Sequence, residues 1–221
     1  MATNTDPAGP WSLVVPLKPL ARAKSRLARA AGEEARPRLA LAFAQDTVAA
    51  ALACSRVRDV VVVTDDAVAA AALSALGARI VPDAPGAGLN AALAHGARSV
   101  RALRPAAAVA ALNADLPALR TGELARVLDF ASAFPNAFLR DAAGIGTTFL
   151  AAMSGAEFRP AFGGPSGARH LASGAVEIAL SGVDSVRRDV DTGEDLRVAL
   201  ALGVGSHTAR IATVPAPSRD R

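Results

Sequence analysis

The chain has 221 residues, enough for one domain with a full core; 52% are hydrophobic, but only 4% are aromatic and tyrosine is absent, so the core must be built mainly from Leu, Val and Ala. A net charge of +4, from 24 basic and 20 acidic residues, is too mild to imply nucleic acid, and single-strand binding would need aromatic platforms interleaved with the charge. The single cysteine, Cys54 in "TVAAALACSRV", excludes an internal disulfide framework and reads as a small buried hydrophobe.

The predicted elements alternate along the chain. The N-terminal "MATNTDPAGPW" lacks the basic flank and apolar run of a signal peptide. "WSLVVPL" (11–17) is a short apolar strand, with Trp11 packing at its edge. A basic loop follows, then a helix over about 37–53. "VRDVVVVTD" (57–65) is a buried strand, "DAVAAAALSALG" (66–77) a helix closed by Gly77, and "ARIVPD" (78–83) a short strand. "GLNAALAHGARSVRAL" (88–103) is a helix and "PAAAVAALNAD" (105–115) a strand. "TGELARVLDFASA" (121–133) is a helix capped by Thr121. "NAFLRD" and "TTFLAAM" read as paired strands around the turn "AAGIG". "PSGARHLASG" reads as a short helix, and "VRRDVDTGEDLRVALALG" as strand, cap and helix. Strand–helix alternation predicts an α/β fold with a mostly parallel sheet and helices on both faces. One domain is expected over 11–214, with loose ends at 1–10 and 215–221. No run of about 18 apolar residues occurs, so no membrane span is expected and a cytoplasmic location is the default.

In such sheets ligands bind beyond the carboxyl ends of the strands. From Lys18 to Arg38 the loop after the first strand carries seven basic and two acidic residues. Arg22 and Lys24 suit a triphosphate, since guanidinium and ammonium groups match phosphate oxygens; a solvated basic surface is the alternative. Lys18, beside Pro19, reads as solvated. No glycine occurs between Trp11 and Ala31. That excludes the G-x-G-x-x-G of a nicotinamide-binding oxidoreductase, and the P-loop is missing too. In "PDAPGAGLNAAL" (82–93), Gly86 and Gly88 let backbone approach a flat ligand and Asn90 has the atoms to read a purine edge. A plain turn entering a helix is the alternative.

"LNADLP" (112–117) places Asp115 where a buried strand ends, and a carboxylate there must be solvated, paired or metal-bound. Asp189 and Asp191 lie two apart in an extended segment, so both can face one ion, and Mg2+ takes a few carboxylate oxygens plus water and phosphate. For Asp191 and Thr192 the competing role is a helix cap, with Glu194 and Asp195 in the first turn. Asp189 sits one step too early to cap. In "GGPSGARH", Gly163 and Gly164 expose backbone N–H groups and Ser166 adds a hydroxyl at a helix start, which suits an anion. Arg169 and His170 lie one turn further and are positioned to add positive charge. The alternatives are a glycine turn with Ser166 as cap and a surface His170. His95 and His207 have no evident partner.

Taken in order, "PLKPLARAKSRLA", "VVVTDD", "GLNAAL", "LNADLP", "GTTFLA", "FGGPSGARH" and "RDVDTGEDL" resemble the CofC/FbiD family of guanylyltransferases in coenzyme F-420 biosynthesis. The likeness runs from about residue 12 to 203. It implies a single-domain, Rossmann-like (GT-A-like) nucleotidyltransferase fold, with a mixed, mostly parallel sheet. It implies that Arg22, Lys24 and Arg26 hold the GTP triphosphate and that Gly88, Leu89 and Asn90 contact guanine and ribose. Asp115, Asp189 and Asp191 would bind Mg2+, and Thr148, Gly163 and Ser166 the phosphorylated acid. Thr147 and Gly164 are neighbours that compete for the last role. Lys24 and Asp115 are the expected catalytic pair.

The implied partners are GTP and a phosphorylated three-carbon acid, with the product handed to the next pathway enzyme and neither nucleic acid nor membrane involved. Phosphoenolpyruvate is the expected acceptor. Alternatives are 2-phospho-L-lactate or 3-phosphoglycerate, a sugar-phosphate or molybdopterin nucleotidyltransferase, or a silent nucleotide-binding regulator. The last would have little use for three aspartates. An anionic phosphate nucleophile needs no general base, in keeping with the lack of any Ser-His-Asp or Cys-His pattern.

Overall fold

Alternation along β1 (Trp11–Pro16) sends Leu13 and Val15 to one face and Val14 to the other, and all three are fully buried. The computed structural model describes residues 10–24, 27, 32 and 34–212. The other strands are β2 (Val57–Val63), β3 (Arg79–Val81), β4 (Ala108–Leu112), β5 (Asn136–Arg140), β6 (Thr147–Ala152) and β7 (Val176–Glu177). They form one sheet in the order β3-β2-β1-β4-β6-β5-β7. β6 runs antiparallel to β4 and β5, while the other pairs are parallel. The helices are α1 (Ala35–Leu52), α2 (Ala67–Ser74), α3 (Leu89–Leu103), α4 (Thr121–Ala131), α5 (Ser166–Ala172), α6 (Asp184–Arg187), α7 (Gly193–Leu202) and α8 (Ser206–Ala212). The expected α/β fold is therefore present as a single domain with a mixed sheet.

Two apolar layers flank the sheet. Leu13, Val60, Val62 and Leu112 pack with Val48 of α1 and Leu124 and Leu128 of α4. Val14, Val61, Val63 and Val109 pack with Leu93, Ala97 and Val100 of α3 on the other side. Burial on both faces explains why "VVVV" and "AVAAL" are continuous apolar runs rather than alternating ones. Trp11 is buried between β2 and β4, and Cys54 is buried as expected. No described helix is long and apolar enough to cross a membrane.

Several expectations are corrected. "VRRDV" is not a strand: 184–187 form α6, and 188–191 join no strand. Ser185, in α6, donates both its N–H and its hydroxyl to Glu123 of α4. β7, only two residues long, is too short to leave an alternating signature. Arg120 rather than Thr121 occupies the N-cap of α4, without a side-chain cap bond. The strand expected over 105–115 is shorter, and 113–115 leave the sheet to become a loop. α8 was not foreseen. Its start is capped by the buried Asp46 of α1, which accepts from the N–H groups of His207 (3.0 Å) and Thr208 (2.8 Å). The expected loose ends fall almost wholly outside the described residues.

α3 sits close to the sheet because of Gly96. A Cβ there would lie 2.5 Å from Val14 Cγ1 and 2.8 Å from Val63 Cγ2. Gly96→Ala should therefore lower unfolding stability by about 1–3 kcal/mol through overpacking. Gly122→Ala, in helix α4 with open space around its Cβ, should be neutral or up to about 1 kcal/mol more stable. Denaturant unfolding of the two variants checks the contrast.

Candidate active site

After β1 the chain runs outward to β2 and β3, then returns to form β4 on the other side of β1. The carboxyl ends of β1 and β4 thus diverge at a topological switch point, where open α/β sheets bind ligands. A cleft of about 560 Å3 opens there. Its walls come from the loop after β1, the start of α3, the end of β4, the β5–β6 turn, the 162–166 segment and the 189–191 segment.

The loop after β1 is fastened from outside the cleft. Leu20 is buried and its N–H donates to Asp66 Oδ2 at 2.8 Å. Arg36 of α1 donates to the carbonyls of Ala21 (3.0 Å) and Ala23 (2.6 Å). Lys24 follows with φ +57°, the one non-glycine residue with positive φ among the described residues. That conformation costs about 1 kcal/mol or more. It delivers the ammonium to Asp115 Oδ2, in direct contact, and to Asp191 Oδ1 at 2.7 Å. Burial works against the charge on Lys24, but the Asp115 and Asp191 carboxylates outweigh it and hold the ammonium above its ordinary range.

Asp115 is fixed by its neighbours. The Asn113 N–H donates to the Thr148 carbonyl (3.0 Å), and the Leu116 N–H to Thr47 Oγ1 on α1 (3.0 Å). The Asp115 carbonyl accepts the Val190 N–H at 3.0 Å. This last bond brings Asp189 and Asp191 to the end of β4, across some 75 residues of sequence. The cap of α7 is Thr192, paired with Asp195 in a capping box, which leaves the Asp191 carboxylate for Lys24. Burial, then the Asp115 and Asp191 charges, push Asp189 up to about 7.

Among the described residues no three Asp, Glu, His or Cys side chains cage a metal by themselves. The donor set nevertheless fits a cation. Asp115 Oδ1 is buried without a partner among the described residues, and burial, then the like charges of Asp115 and Asp191, make a lone negative charge on Asp189 unfavourable. Mg2+ is commonly held by one or two carboxylates and the phosphates of its substrate.

The opposite wall is built from Gly163, Gly164 and Ser166, with φ of +96° and +48° at the glycines. Alternation along β6 turns Thr147, not Thr148, into the cleft. Thr148 is fully buried behind it. Ser166 Oγ is hydrogen-bonded to Thr147 Oγ1 at 3.1 Å. Asn90 is engaged elsewhere: its amide donates to the Phe162 carbonyl (3.1 Å) and accepts the Phe162 N–H (2.8 Å). It fastens this wall to α3 rather than facing a base. Gly88, at φ +93°, starts α3, while Leu89 reaches the cleft. Arg22 and Lys24 line the cleft as expected, and Arg26 lies outside the described residues.

His170 is not a surface residue but fully buried, while Arg169 is exposed. The Arg169 guanidinium is taken up by the carbonyls of Ala161 and Gly163. Lys18, read as solvated, lines the cleft, as do Asn113 and Asp141. Asp141 accepts the Ile145 (2.9 Å) and Gly146 (2.8 Å) N–H groups, which shapes the turn presenting Thr147. Its position before "AAGIG" was a readable Asx-type signal. His95 and His207 do not line the cleft.

Residues 11–211 match a family model described as guanylyl transferase CofC like. The chain belongs to that family. It is 68% identical to a phosphoenolpyruvate guanylyltransferase of Streptomyces avermitilis, covering 96% of this chain and 99% of that one. A protein of the same name from Streptomyces coelicolor is 69% identical, over 91% of this chain and 95% of that one. A nucleotidyl transferase from Methanothermobacter shares the fold, with a TM-score of 0.63 and 23% identity over 87% of this chain and 97% of that one. The guanylyl transferase family thus stands on a nucleotidyltransferase fold, as the motifs implied.

Asp189 makes a pH prediction for the metal-free protein. It holds its proton up to about pH 7 when folded, but only to 3.8 in an unperturbed chain. The folded state binds more protons between those values, so the stability Asp189 contributes is lost as pH rises through about 7. Asp189→Asn should be destabilised less than the parent on raising the pH from about 4 to 7. Denaturant melts in chelator across that range measure the difference.

Proposed function

We propose that this chain transfers GMP from GTP to the phosphate of phosphoenolpyruvate, releasing pyrophosphate. The observation that carries the reading is the meeting of two unlike walls at one aspartate cluster. One wall is cationic, with Lys18, Arg22 and Lys24; the other carries the Thr147 and Ser166 hydroxyls and two glycines. The family and the names of the 68–69% identical relatives support both the reaction and the acceptor.

On this reading Lys18, Arg22 and Lys24 take the triphosphate, and Gly88 and Leu89 border the nucleoside. Thr147, Gly163 and Ser166 receive the acid. Asp115, Asp189 and Asp191 would hold Mg2+, which supplies charge neutralisation for the phosphates when bound. A phosphate oxygen of the acid bonds to the α-phosphorus. The bond from that phosphorus to the α–β bridging oxygen breaks, and its electrons leave with pyrophosphate. The nucleophile is already anionic, so no side chain has to remove a proton. Lys24, at the junction of the cationic wall and the aspartates, stabilises the charge that builds at the α-phosphate. Arg36 and Asp66 hold the loop in place, and Asn90 holds the acid wall. The product passes to the next enzyme of coenzyme F-420 synthesis.

Pyrophosphate release should require GTP, a divalent ion and phosphoenolpyruvate together. Rates with ATP, 2-phospho-L-lactate or 3-phosphoglycerate should be lower. Asp115→Asn preserves shape but removes a charge, and should lower turnover by about 100-fold or more. Near-parental turnover would remove Asp115 from the reaction. Ser166→Ala should raise the acid's apparent KM by about 10-fold or more while GTP affinity, read by calorimetry, changes little. A variant that lost GTP affinity instead would place Ser166 in the nucleotide site.

A further inference from the structure

His170 is fully buried between the rings of Phe138 (centroids 5.7 Å apart) and Phe162 (5.2 Å, edge-on). It lies one helical turn after Ser166 on α5, and both reach the same β6 residue. Its Nε2 accepts the Ala161 backbone N–H at 3.0 Å. A backbone N–H can only donate, so Nε2 carries no hydrogen. In a neutral imidazole the hydrogen is then on Nδ1, which lies 3.0 Å from Thr147 Oγ1 and donates to it. Burial and the neighbouring Arg169 charge pull His170 down to about 4, so the ring is neutral at physiological pH.

The hydroxyls of Thr147 and Ser166 share one hydrogen in their mutual bond at 3.1 Å. Together they own two. Whichever way the shared bond points, one hydroxyl hydrogen is left over. The opposite imidazole tautomer would accept that hydrogen. The Nδ1–H form required by the Ala161 N–H is a donor and cannot. The remaining hydrogen is left for the cleft, which both residues line.

We propose that His170 is a positioning residue for the acid: its tautomer, set by the Ala161 N–H, reserves one hydroxyl proton of Thr147 and Ser166 for an anionic ligand. This rests on the reading of that wall as the acid's site. It makes the wall a donor surface for carboxylate or phosphate without any formal charge of its own. It also explains why a histidine is buried here without touching the cleft.

The test combines spectroscopy with a mutant cycle. Imidazole 15N NMR at neutral pH should show His170 protonated at Nδ1 and bare at Nε2, whether or not the protein turns over. An Nε2–H tautomer would overturn the proposal. His170→Phe keeps the aromatic packing and deletes the donor, and should raise the apparent KM for phosphoenolpyruvate by about 10-fold or more. GTP affinity by calorimetry should stay within about threefold. His170→Gln, which retains one donor and one acceptor, should recover most of the loss. In a Thr147→Val background the His170→Phe change should add little, because it acts through that hydroxyl. An unchanged KM in either Thr147→Val or His170→Phe, or full additivity of the two, would contradict the proposal. If His170→Phe does not fold, Thr147→Val and the NMR measurement still decide. An Nδ1–H tautomer in a parent protein that releases no pyrophosphate with any of the three acids would instead overturn the functional reading.

Discussion

The ammonium of Lys24, held between Asp115 and Asp191, is the contact on which the cleft depends. It joins three parts of the chain that are far apart in sequence: the loop after β1, the end of β4 and the segment before α7. Each part is supported separately. Arg36 and Asp66 brace the loop, Thr47 and β6 brace Asp115, and the bond from Val190 N–H to the Asp115 carbonyl braces the third. The strained backbone at Lys24 is tolerated because these supports over-determine it. The result is a concentration of like charge, two aspartates and a reluctant third, with a lysine as counter-charge. Such a cluster is poised to exchange charge with an incoming polyanion and its cation.

The two walls solve different electrostatic problems. On the proposed reading, the several charges of a triphosphate would meet Lys18, Arg22 and Lys24, which line the cleft. A small phosphorylated acid must be held beside it without a second cationic patch so strong that either anion would bind in either place. The wall proposed for the acid offers neutral groups, the Thr147 and Ser166 hydroxyls. Of the two groups there that could add charge, the exposed Arg169 is spent on backbone carbonyls and His170 is buried in the core. The proposed division of labour has a topological basis, since β1 and β4 diverge at the switch point while the antiparallel β6 brings Thr147 beside them.

Much of the fold was legible because its central strands are buried on both faces. Runs such as "VVVV" have no competing helical reading at that length, and the alternation with helices dictates the parallel half of the sheet. The second half was harder. β7 is too short to show a pattern, and α6 is tied to α4 through Ser185 and Glu123, 62 residues apart. α8 depends on Asp46, more than 160 residues distant in sequence. Of the site, the charged residues were readable because a carboxylate at a buried strand end demands a reason. Asn90 leaves two readings open, because its donor and acceptor suit a base as well as the Phe162 backbone that it bonds. Thr147 and Thr148 differ only by strand register, which the sequence leaves open. His170 reads either as a cation beside the anion site or as a surface residue, because nothing local shows that Phe138 and Phe162 close over it.

The central claim is that a phosphate oxygen of the acid attacks the α-phosphorus of GTP within this cleft. The direct measurement uses phosphoenolpyruvate labelled with 18O in its phosphate group, incubated with GTP and Mg2+. The account predicts unlabelled pyrophosphate and a guanylylated product that retains all of the label. Label in the pyrophosphate would mean that a different bond is made, and would contradict the account.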